Sequence, residues 1–521
     1  MPSAWTRSSQ LGSSVQVGES WVEAGTWAAD RHGKLGTFVN SLGLGNALTG
    51  TGIRLGGGLR TKDWDFALET LALRDTQGQS YLTVYRGHAL HKSQTGWTAG
   101  LEQEPLVWGY GLNGGYLLGE AARPFPRFRL ESPMKAISLW GIPLGTWGFQ
   151  TFVGRLEKDR VLSESIQDPS FRKPLLAYDP SAPLFNGYRF QATFSDVMEF
   201  YLNYTNLWSG TRNGKGMTDG YNLGEYFTAM FGLKDQLAEG GVNFSDPSRP
   251  DPSYKNHARS ASNLDVGARI RFRFLEGPTR AHAVYAYISR GSKNTWWPLG
   301  VFVHKPLYYL GKDLEKDGRN LLTGRVGFFW NEKERMSVPN LVAPNDTAGM
   351  LFEWSQFRLG LEYSDITNAV VTGIKPFVTG EYSAGFYTYG DPLGNALGGE
   401  SQTFTLRMDV DPTPRLSTST WLHVGHRPFR DDLGAWMIDH PGATPAKNRF
   451  LGLQQTLRWN LNAATSARFG VSWQRQTSVD YEAGRVGNAF RWFIDVGYRW
   501  TSGHPRAPIP NSNQGSVEAF P

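Results

Sequence analysis

The chain has 521 residues, of which 19% are charged and 13% aromatic, with 61 glycines and no cysteine. The lack of cysteine excludes a disulfide framework and a thiolate metal site, and a net charge of +6 is too small to indicate nucleic-acid binding. Low charge together with many aromatic residues and glycines favours one large sheet with aromatic girdles.

No segment is long and apolar enough for a transmembrane helix, which needs about 20 apolar residues. The long uncharged run from Pro105 to Gly119 falls short of this length and contains five glycines. The first ten residues, MPSAWTRSSQ, have no apolar signal-peptide core, so the chain is interpreted as a mature product. If the protein is in a membrane, only a closed β-barrel satisfies its backbone there.

Alternation of apolar and polar residues recurs along the chain with the period of a β-strand. In LDVGARIRFRF, residues 264 to 274, Arg269, Arg271 and Arg273 share one face. An arginine facing lipid near the midplane costs about 2–4 kcal/mol, so this face must meet water. Other predicted strands are 14–28, 51–60, 63–73, 80–90, 146–156, 188–194, 198–204, 280–290, 321–330, 351–366, 371–389, 403–410, 416–424, 451–459, 467–473 and 490–500.

About 16 to 20 candidate strands are connected in two ways, by tight turns and by long polar connections. This asymmetry predicts an all-β fold, a transmembrane antiparallel β-barrel of the bacterial outer membrane with long extracellular loops. We expect one barrel domain with a loop plug over residues 1–500 and a polar, disordered tail over 501–521. The predicted long connections are 209–262, 292–320, 331–347 and 427–448.

The connection 209–262 contains apolar residues at helical spacing, from Leu223 to Phe231, which predicts a short helix. The simplest interpretation is that this helix covers the lumen. The stretch GYGLNG at 109–114 matches the dinucleotide-binding glycine pattern, but Pro124 and Pro126 follow closely and no βαβ unit can be built around it. We therefore predict no nucleotide site.

The sequence gives little support for enzymatic chemistry. The sequence has no zincin histidine pair, phosphate loop or nucleophile elbow. His423 shares a strand face with Ser417, Ser419 and Trp421, so we expect it to face the lumen. Glu102 and Glu104 could serve glycoside hydrolysis, but we expect such a pair to balance lumen arginines. No enzyme activity, cofactor or metal is predicted.

The run from 101 to 133 contains Trp-Gly before a glycine-rich segment and then Ala-Arg-Pro-Phe-Pro at 122–126. With FVGRLEKDR at 152–160, PLFNGYRFQATF at 183–194 and Asp-Gly-x-Asn-Leu-Gly at 219–224, it resembles the Wzi family of outer-membrane capsule assembly proteins. The resemblance covers about 100–330. It implies an 18-stranded barrel with an occluded lumen that binds surface polysaccharide and organises it into a capsule or related layer.

Family members can carry an N-terminal helical bundle on the periplasmic side. Residues 1–60 look instead like glycine-rich strands and loops, with a weak helix pattern only at 37–48. We therefore expect a reduced or missing bundle.

A lumen wall of arginines with loop tryptophans could hold an acidic polysaccharide, because guanidinium groups pair with carboxylates. The structural alternative is that these arginines pair with acidic residues of the wall. The predicted partners are an anionic surface polysaccharide and outer-membrane lipid, without nucleic acid, and the chain is expected to be a monomer. The second functional class is a porin or exopolysaccharide export channel, and an enzyme is third.

The predicted site residues fall into two sets. Those expected to bind polysaccharide or line the lumen are Arg123, Arg127, Arg269, Arg271, Arg273, Arg325, Trp296, Trp297, Arg491 and Arg499. Those expected to face the membrane are the aromatic residues Phe490, Trp492, Tyr498 and Trp500.

Overall fold

Antiparallel β-strands make up most of the described part of the protein. Two short ribbons, one α-helix and one 3-10 helix accompany them. The computed structural model describes residues 18–32, 49–75, 78–119, 123–158, 181–194, 197–212, 215–216, 222–231, 261–277, 281, 283–293, 346–366, 387–388, 391–394, 401–427, 446, 448–462, 464–478 and 482–501.

The strands follow one another around the sheet in chain order. The first group is β1 (Ser20–His32), β2 (Gly50–Arg60), β3 (Trp64–Arg74), β4 (Ser80–Lys92), β5 (Thr98–Gln103), β6 (Arg127–Glu131), β7 (Lys135–Leu139), β8 (Ile142–Arg155), β9 (Leu184–Phe194), β10 (Met198–Trp208), β11 (Thr211–Arg212) and β12 (Lys215–Gly216). Helix α1 (Leu223–Met230) comes next. The second group is β13 (Ala261–Arg271), β14 (Ala283–Lys293), β15 (Asp346–Glu353), β16 (Phe357–Asp365), β17 (Tyr387–Thr388), β18 (Asp391–Pro392), β19 (Gln402–Thr413), β20 (Leu416–Arg427), β21 (Asn448–Asn460), β22 (Thr465–Thr477) and β23 (Val486–Thr501).

The large sheet closes on itself. Its first strand, β1, pairs with β2 on one side and with the last strand, β23, on the other, from Trp21 opposite Thr501 to His32 opposite Phe490. The sheet has 19 strands, but β6 and β7 follow each other along the same edge of β8. The ring therefore has 18 places, which confirms the predicted barrel.

Strand β23 shows how the two faces of the wall differ. Ile494, Val496 and Trp500 are 38% to 52% exposed on the outside, whereas Arg491 and Asp495 are buried in the lumen. A ring whose outer face is apolar and whose inner face is charged requires hydrocarbon around it. Within the described residues, no helix has the length and apolar character needed to cross a membrane.

The two ends of the barrel differ in the length of their connections. The first residues of β1 and the last of β23 lie at the end with short turns, which include 61–63, 195–197, 354–356 and 414–415. We call this the short-turn end, and the opposite one the long-loop end. In outer-membrane barrels the short turns are periplasmic and the long loops extracellular. The connections at the long-loop end include 33–49, 104–126, 156–183, 209–260, 294–345, 366–401 and 428–447.

Most predicted strands agree with the structure, with a few differences. The predicted strand 351–366 is two strands, β15 and β16, because a tight turn forms where Trp354 N–H donates to the Phe357 carbonyl. Strands β5, β6 and β7 were missed because they are short. The predictions at 37–48, 321–330 and 502–521, and most of 371–389, lie outside the described residues.

Two predictions of position are wrong. Arg273 does not continue the face of Arg269 and Arg271, because β13 ends at Arg271 and the backbone turns into the 3-10 helix Arg273–Leu275, where Arg273 is exposed. Helix α1 forms where it was predicted, but it packs against the outward face of β9 and β10 and does not cover the lumen.

A charge on the outer face tests the environment of the wall. Replacing Ile494 with arginine places that charge at the middle of β23, where we expect the free energy of unfolding to fall by about 2–4 kcal/mol. Urea unfolding in phospholipid vesicles measures this loss. The matched control is Val486→Arg, on the same face but at the long-loop end, with an expected loss of about 0–1 kcal/mol. Equal losses at the two positions would contradict a hydrocarbon environment.

Candidate functional site

The connection between β5 and β6 folds into the barrel. We call residues 104–119 of this connection the lumen plug; nearly all of them are buried. The Trp108 N–H donates to the Leu118 carbonyl (3.1 Å), which folds the segment back on itself. The Trp108 indole Nε1 donates to Gln150 Oε1 on β8 (2.7 Å). A segment with few charged groups can be buried in this way because its backbone and indole donors find acceptors.

The tip of the plug is held by one buried carboxylate, Glu362 of β16. The Leu112 N–H donates to Glu362 Oε2, and the Asn113 amide donates to Oε1 (2.8 Å). The Tyr287 hydroxyl of β14 also donates to Oε2 (2.7 Å). The Asn113 amide reaches Thr405 Oγ1 on β19 as well (2.8 Å). Because Glu362 accepts hydrogen bonds from three buried donors, it fixes the position of the tip.

These contacts show that the plug crosses the lumen. It starts at β5, and its tip touches β19, which is nine places away around a ring of 18. The tip therefore rests on the wall directly opposite the point where the plug begins. The described residues thus place a segment of backbone across the full width of the barrel.

Glycines allow the plug to be this narrow. A Cβ on Gly115 would lie 1.6 Å from the Trp108 carbonyl oxygen, so no side chain fits between the two arms of the plug. Gly109 has a φ of 139°, a conformation that other residues rarely adopt. The glycine pattern at 109–114 therefore serves a tight chain crossing.

An apolar cluster joins the plug to the wall at the long-loop end. Trp108 packs on Phe152 of β8 with ring centroids 5.2 Å apart, and Phe152 packs on Phe185 of β9 at 5.4 Å. The Gly119 N–H donates to the Leu393 carbonyl in the connection between β16 and β19 (2.6 Å). The other buried members of this cluster are Leu106, Tyr116, Leu117, Leu118, Phe125, Leu156, Leu207 and Ile366.

Arg269, one of the predicted site residues, is buried against the plug. Its Nη2 donates to Glu199 Oε2 (2.8 Å), and its guanidinium lies 4.9 Å from the centre of the Tyr110 ring. The Tyr110 hydroxyl donates to the same carboxylate oxygen (3.3 Å). Burial and the nearby Glu199 carboxylate raise the pKa of Tyr110, so its hydroxyl stays a donor. Arg269 therefore contacts the plug from the side of the short-turn end.

Arg127 is paired in the same way. Its Nε donates to Glu102 Oε1 (2.7 Å), while Arg129 Nη1 donates to the other oxygen (2.9 Å). Glu104 Oε1 accepts a hydrogen bond from His88 Nδ1 (2.9 Å). As expected, Glu102 balances lumen arginines. Among the described residues, no group of three or more histidine, aspartate or glutamate side chains could hold a metal ion.

A second ionic network joins side chains of the neighbouring strands β23, β1, β2 and β3. Arg54 lies 2.9 Å from Glu23, 3.1 Å from Asp495 and 3.5 Å from Glu69. Arg499 donates to Glu23 through Nε (2.9 Å) and Nη2 (2.6 Å). Arg499, like Arg127 and Arg269, pairs with an acidic residue of the wall, which is the alternative to glycan binding.

Height along the barrel divides the predicted lumen residues into two groups. Arg269, Arg271 and Arg499 lie near the short-turn end, and Arg271 donates to Glu276 through Nε (2.6 Å) in the turn after β13. Arg123 and Arg127 lie near the long-loop end.

Arg491 and the aromatic residues of β23 complete the predicted set. Arg491 is buried on the lumen face, five residues from the start of β23 at the long-loop end. Phe490, Trp492, Tyr498 and Trp500 all point outward from β23. Trp296, Trp297 and Arg325 lie outside the described residues.

Two residues that hold the plug, Glu362 and Asn113, were not predicted. Trp421, on the strand face expected in the lumen, stacks under Arg407, whose guanidinium lies 4.4 Å from its ring. The parity of β16 could have placed Glu362 in the lumen, since it shares a face with Arg358 and Ser364. Nothing in the local pattern indicates that its partner is 249 residues away.

The closed ring, apolar outer face and plugged lumen define the class of the protein: a transmembrane β-barrel of the bacterial outer membrane. Residues 62–247 match the family model described as capsule assembly protein Wzi. The predicted resemblance to this family is thus confirmed, over a range that begins and ends earlier than the 100–330 read from the motifs. A comparison with curated proteins found no match.

Solved structures of outer-membrane barrels are similar to the chain. Wzi of Escherichia coli, described as an outer-membrane protein involved in group 1 capsule assembly and a carbohydrate-binding β-barrel, has a TM-score of 0.56 at 12% identity, covering 91% of this chain and 83% of its own. OpdQ of Pseudomonas aeruginosa has a TM-score of 0.42 at 8% identity, with coverage of 93% and 97%. OccK10 (OpdN) of the same species has a TM-score of 0.42 at 12% identity, with coverage of 94% and 100%.

Removing the acceptor for the plug tip should loosen the plug. Glu362→Ala leaves the Leu112 N–H, the Asn113 amide and the Tyr287 hydroxyl without their carboxylate, and each unsatisfied buried donor costs about 1–3 kcal/mol. The chain has no cysteine, so Leu117→Cys provides a single thiol in the buried plug. We expect a water-soluble maleimide to modify this thiol faster when Glu362→Ala is also present.

The matched control is Glu69→Ala, which removes another buried lumen carboxylate. Glu69 pairs with Arg54 and Arg86 and is not an acceptor for the plug tip. We expect the thiol at position 117 to remain protected in this variant. Equal modification rates in the two variants would contradict the role of Glu362 as the anchor of the plug.

Proposed function

We propose that the protein is a non-conducting outer-membrane barrel that binds polysaccharide at the cell surface and attaches or organises it there as a capsule or exopolysaccharide layer. The observation that carries this proposal is the plug across the lumen of a barrel that matches the Wzi family model. The described carbohydrate-binding activity of Escherichia coli Wzi supports it.

The plug favours glycan binding over transport. A porin needs a continuous aqueous path, and here a backbone segment spans the lumen and is bonded to the far wall. Its anchors are buried and hydrogen-bonded, so opening the path requires breaking several contacts together. A role without catalysis fits this arrangement, because the buried carboxylates Glu102 and Glu362 already accept hydrogen bonds from the protein.

The glycan contact belongs to the long-loop end, because only that end faces the cell surface. Of the described predicted residues, Arg123, Arg127 and Arg491 lie toward it, and Arg123 is half-buried, with its Nη2 donating to Thr83 (2.7 Å). Guanidinium groups there favour an anionic polymer. Trp296, Trp297 and Arg325 lie outside the described residues, and their contact with glycan stays a prediction, as does the monomeric state.

Conductance separates this function from a transport channel. We expect purified protein in planar bilayers to show no large steady current and to retain surface polysaccharide extracted from the source cells in a pull-down. Carboxyl-reduced polysaccharide, which is neutral, should be retained less. A large steady current without glycan retention would overturn the proposal in favour of a porin or export channel.

Charge reversal at the two ends tests where the glycan binds. Arg123→Glu removes a guanidinium at the long-loop end, and a lost charged hydrogen bond of about 1.5 kcal/mol weakens binding about tenfold. The matched control is Arg271→Glu, another half-buried lumen arginine, at the short-turn end. We expect the control to bind as well as the unmodified protein. Equal retention of polysaccharide by both variants would rule out the contact at Arg123.

A further inference from the structure

Part of the outer wall is covered from outside. On β10, Tyr204 and Asn206 share the outward face of Phe200, which is 37% exposed, and they lie opposite Tyr188 and Asn186 of β9. Outward residues at this position would be expected to touch lipid. Tyr204 and Asn206 are nevertheless completely buried, so another part of the protein lies over them.

That cover is the C-terminal end of helix α1. The Asn206 amide donates to the carbonyls of Ala229 (2.7 Å) and Met230 (3.2 Å), and the Asn186 amide donates to the Met230 carbonyl (3.0 Å). The Tyr204 hydroxyl donates to the carbonyl of Phe231 (2.9 Å). The last carbonyls of a helix have no partner inside the helix. Two outward asparagines and a tyrosine therefore cap α1 and fix it to the wall.

Ring contacts strengthen this attachment. Phe231 stacks on Tyr188 with ring centroids 5.3 Å apart, and Tyr226 meets Trp208 edge to face at 6.3 Å. Ala229 is fully buried at the contact, where a small side chain lets the helix approach the strands closely. The helix is thus docked through polar and aromatic contacts together.

Three large apolar or aromatic side chains of α1 are exposed. Leu223 is 74% exposed, Phe227 51% and Tyr226 40%. Asn206 lies eight positions beyond Met198 at the short-turn end of β10, which corresponds to roughly 20 Å along the axis for a strand tilted by about 40°. The apolar band of such barrels is about 25 Å tall, so α1 lies near its extracellular border.

We propose that α1 is a lipid anchor whose exposed residues Leu223, Tyr226 and Phe227 enter the acyl chains of the outer leaflet. Its apolar surface continues the lipid-facing band marked by Phe190 and Phe200 on the strands beneath it. Aromatic residues on a short helix at this depth match the usual composition of membrane interfaces. The anchor holds residues 222–231 of the connection 209–260 beside the barrel.

Spin labelling tests the depth of α1, because the chain has no cysteine to remove. A label at Phe227→Cys is examined in vesicles of phosphatidylethanolamine and phosphatidylglycerol. References are Phe200→Cys on the lipid face and Thr95→Cys in an exposed turn. We expect collisions with oxygen to exceed those with a water-soluble nickel complex at position 227, as at 200 and opposite to 95. Collisions dominated by nickel, or low with both as in contact with a protein or a second copy, would overturn the proposal.

The docking contact has its own matched pair of variants. Asn206→Ala removes the amide that caps α1, and in the Phe227→Cys background we expect a more mobile label that collides more with nickel. Asn203→Ala, on the lumen face of the same strand, removes an amide that donates to Asp265 (3.3 Å) and should leave the label unchanged. Heat-dependent migration in gels shows that both barrels are folded. An unchanged label in Asn206→Ala would reject the docking of α1 through Asn206.

Discussion

The closure of the ring between β1 and β23 is the constraint on which the rest of the structure depends. Hydrocarbon offers no hydrogen-bond partner, so each backbone group in the wall must bond to a neighbouring strand. Pairing from Trp21 to His32 with the last strand removes the two edges that the sheet would otherwise have. Closure also fixes which face of every strand is inside, because side chains alternate strictly along a strand.

Alternation then concentrates charge in the lumen, where each charged group needs a partner. Arg54 is shared among Glu23, Glu69 and Asp495, and Glu102 is shared between Arg127 and Arg129. Removing one member of such a group is costly because the remaining charge is left buried and unpaired. Lumen arginines thus tie neighbouring strands together, and this structural task explains why few of those described remain for a ligand.

The sequence was sufficient to predict the barrel but not to predict the plug and its contacts. Period-two alternation predicts the strands and their inner faces, as in β13 and β23, because this pattern depends only on residues that are neighbours in the sequence. The plug depends on contacts such as Asn113 with Glu362, which join positions far apart in the chain. The position of these arginines along the barrel axis could also have been predicted, because Arg271 and Arg499 come just before predicted strand ends. Strand parity alone gives the face of a residue and not its height in the barrel.

The same distinction explains why α1 was predicted as a helix but placed wrongly. Its apolar residues at helical spacing indicate a face to be buried, and they do not tell protein from lipid. The information on placement lies in the wall, where Asn186 and Asn206 occupy outward positions that otherwise favour apolar residues. An unpaired amide in hydrocarbon costs several kcal/mol, so two of them side by side on a lipid face indicate that a polar partner lies outside the barrel. In this fold, a polar residue that breaks the outward apolar pattern therefore locates the segment that docks on it.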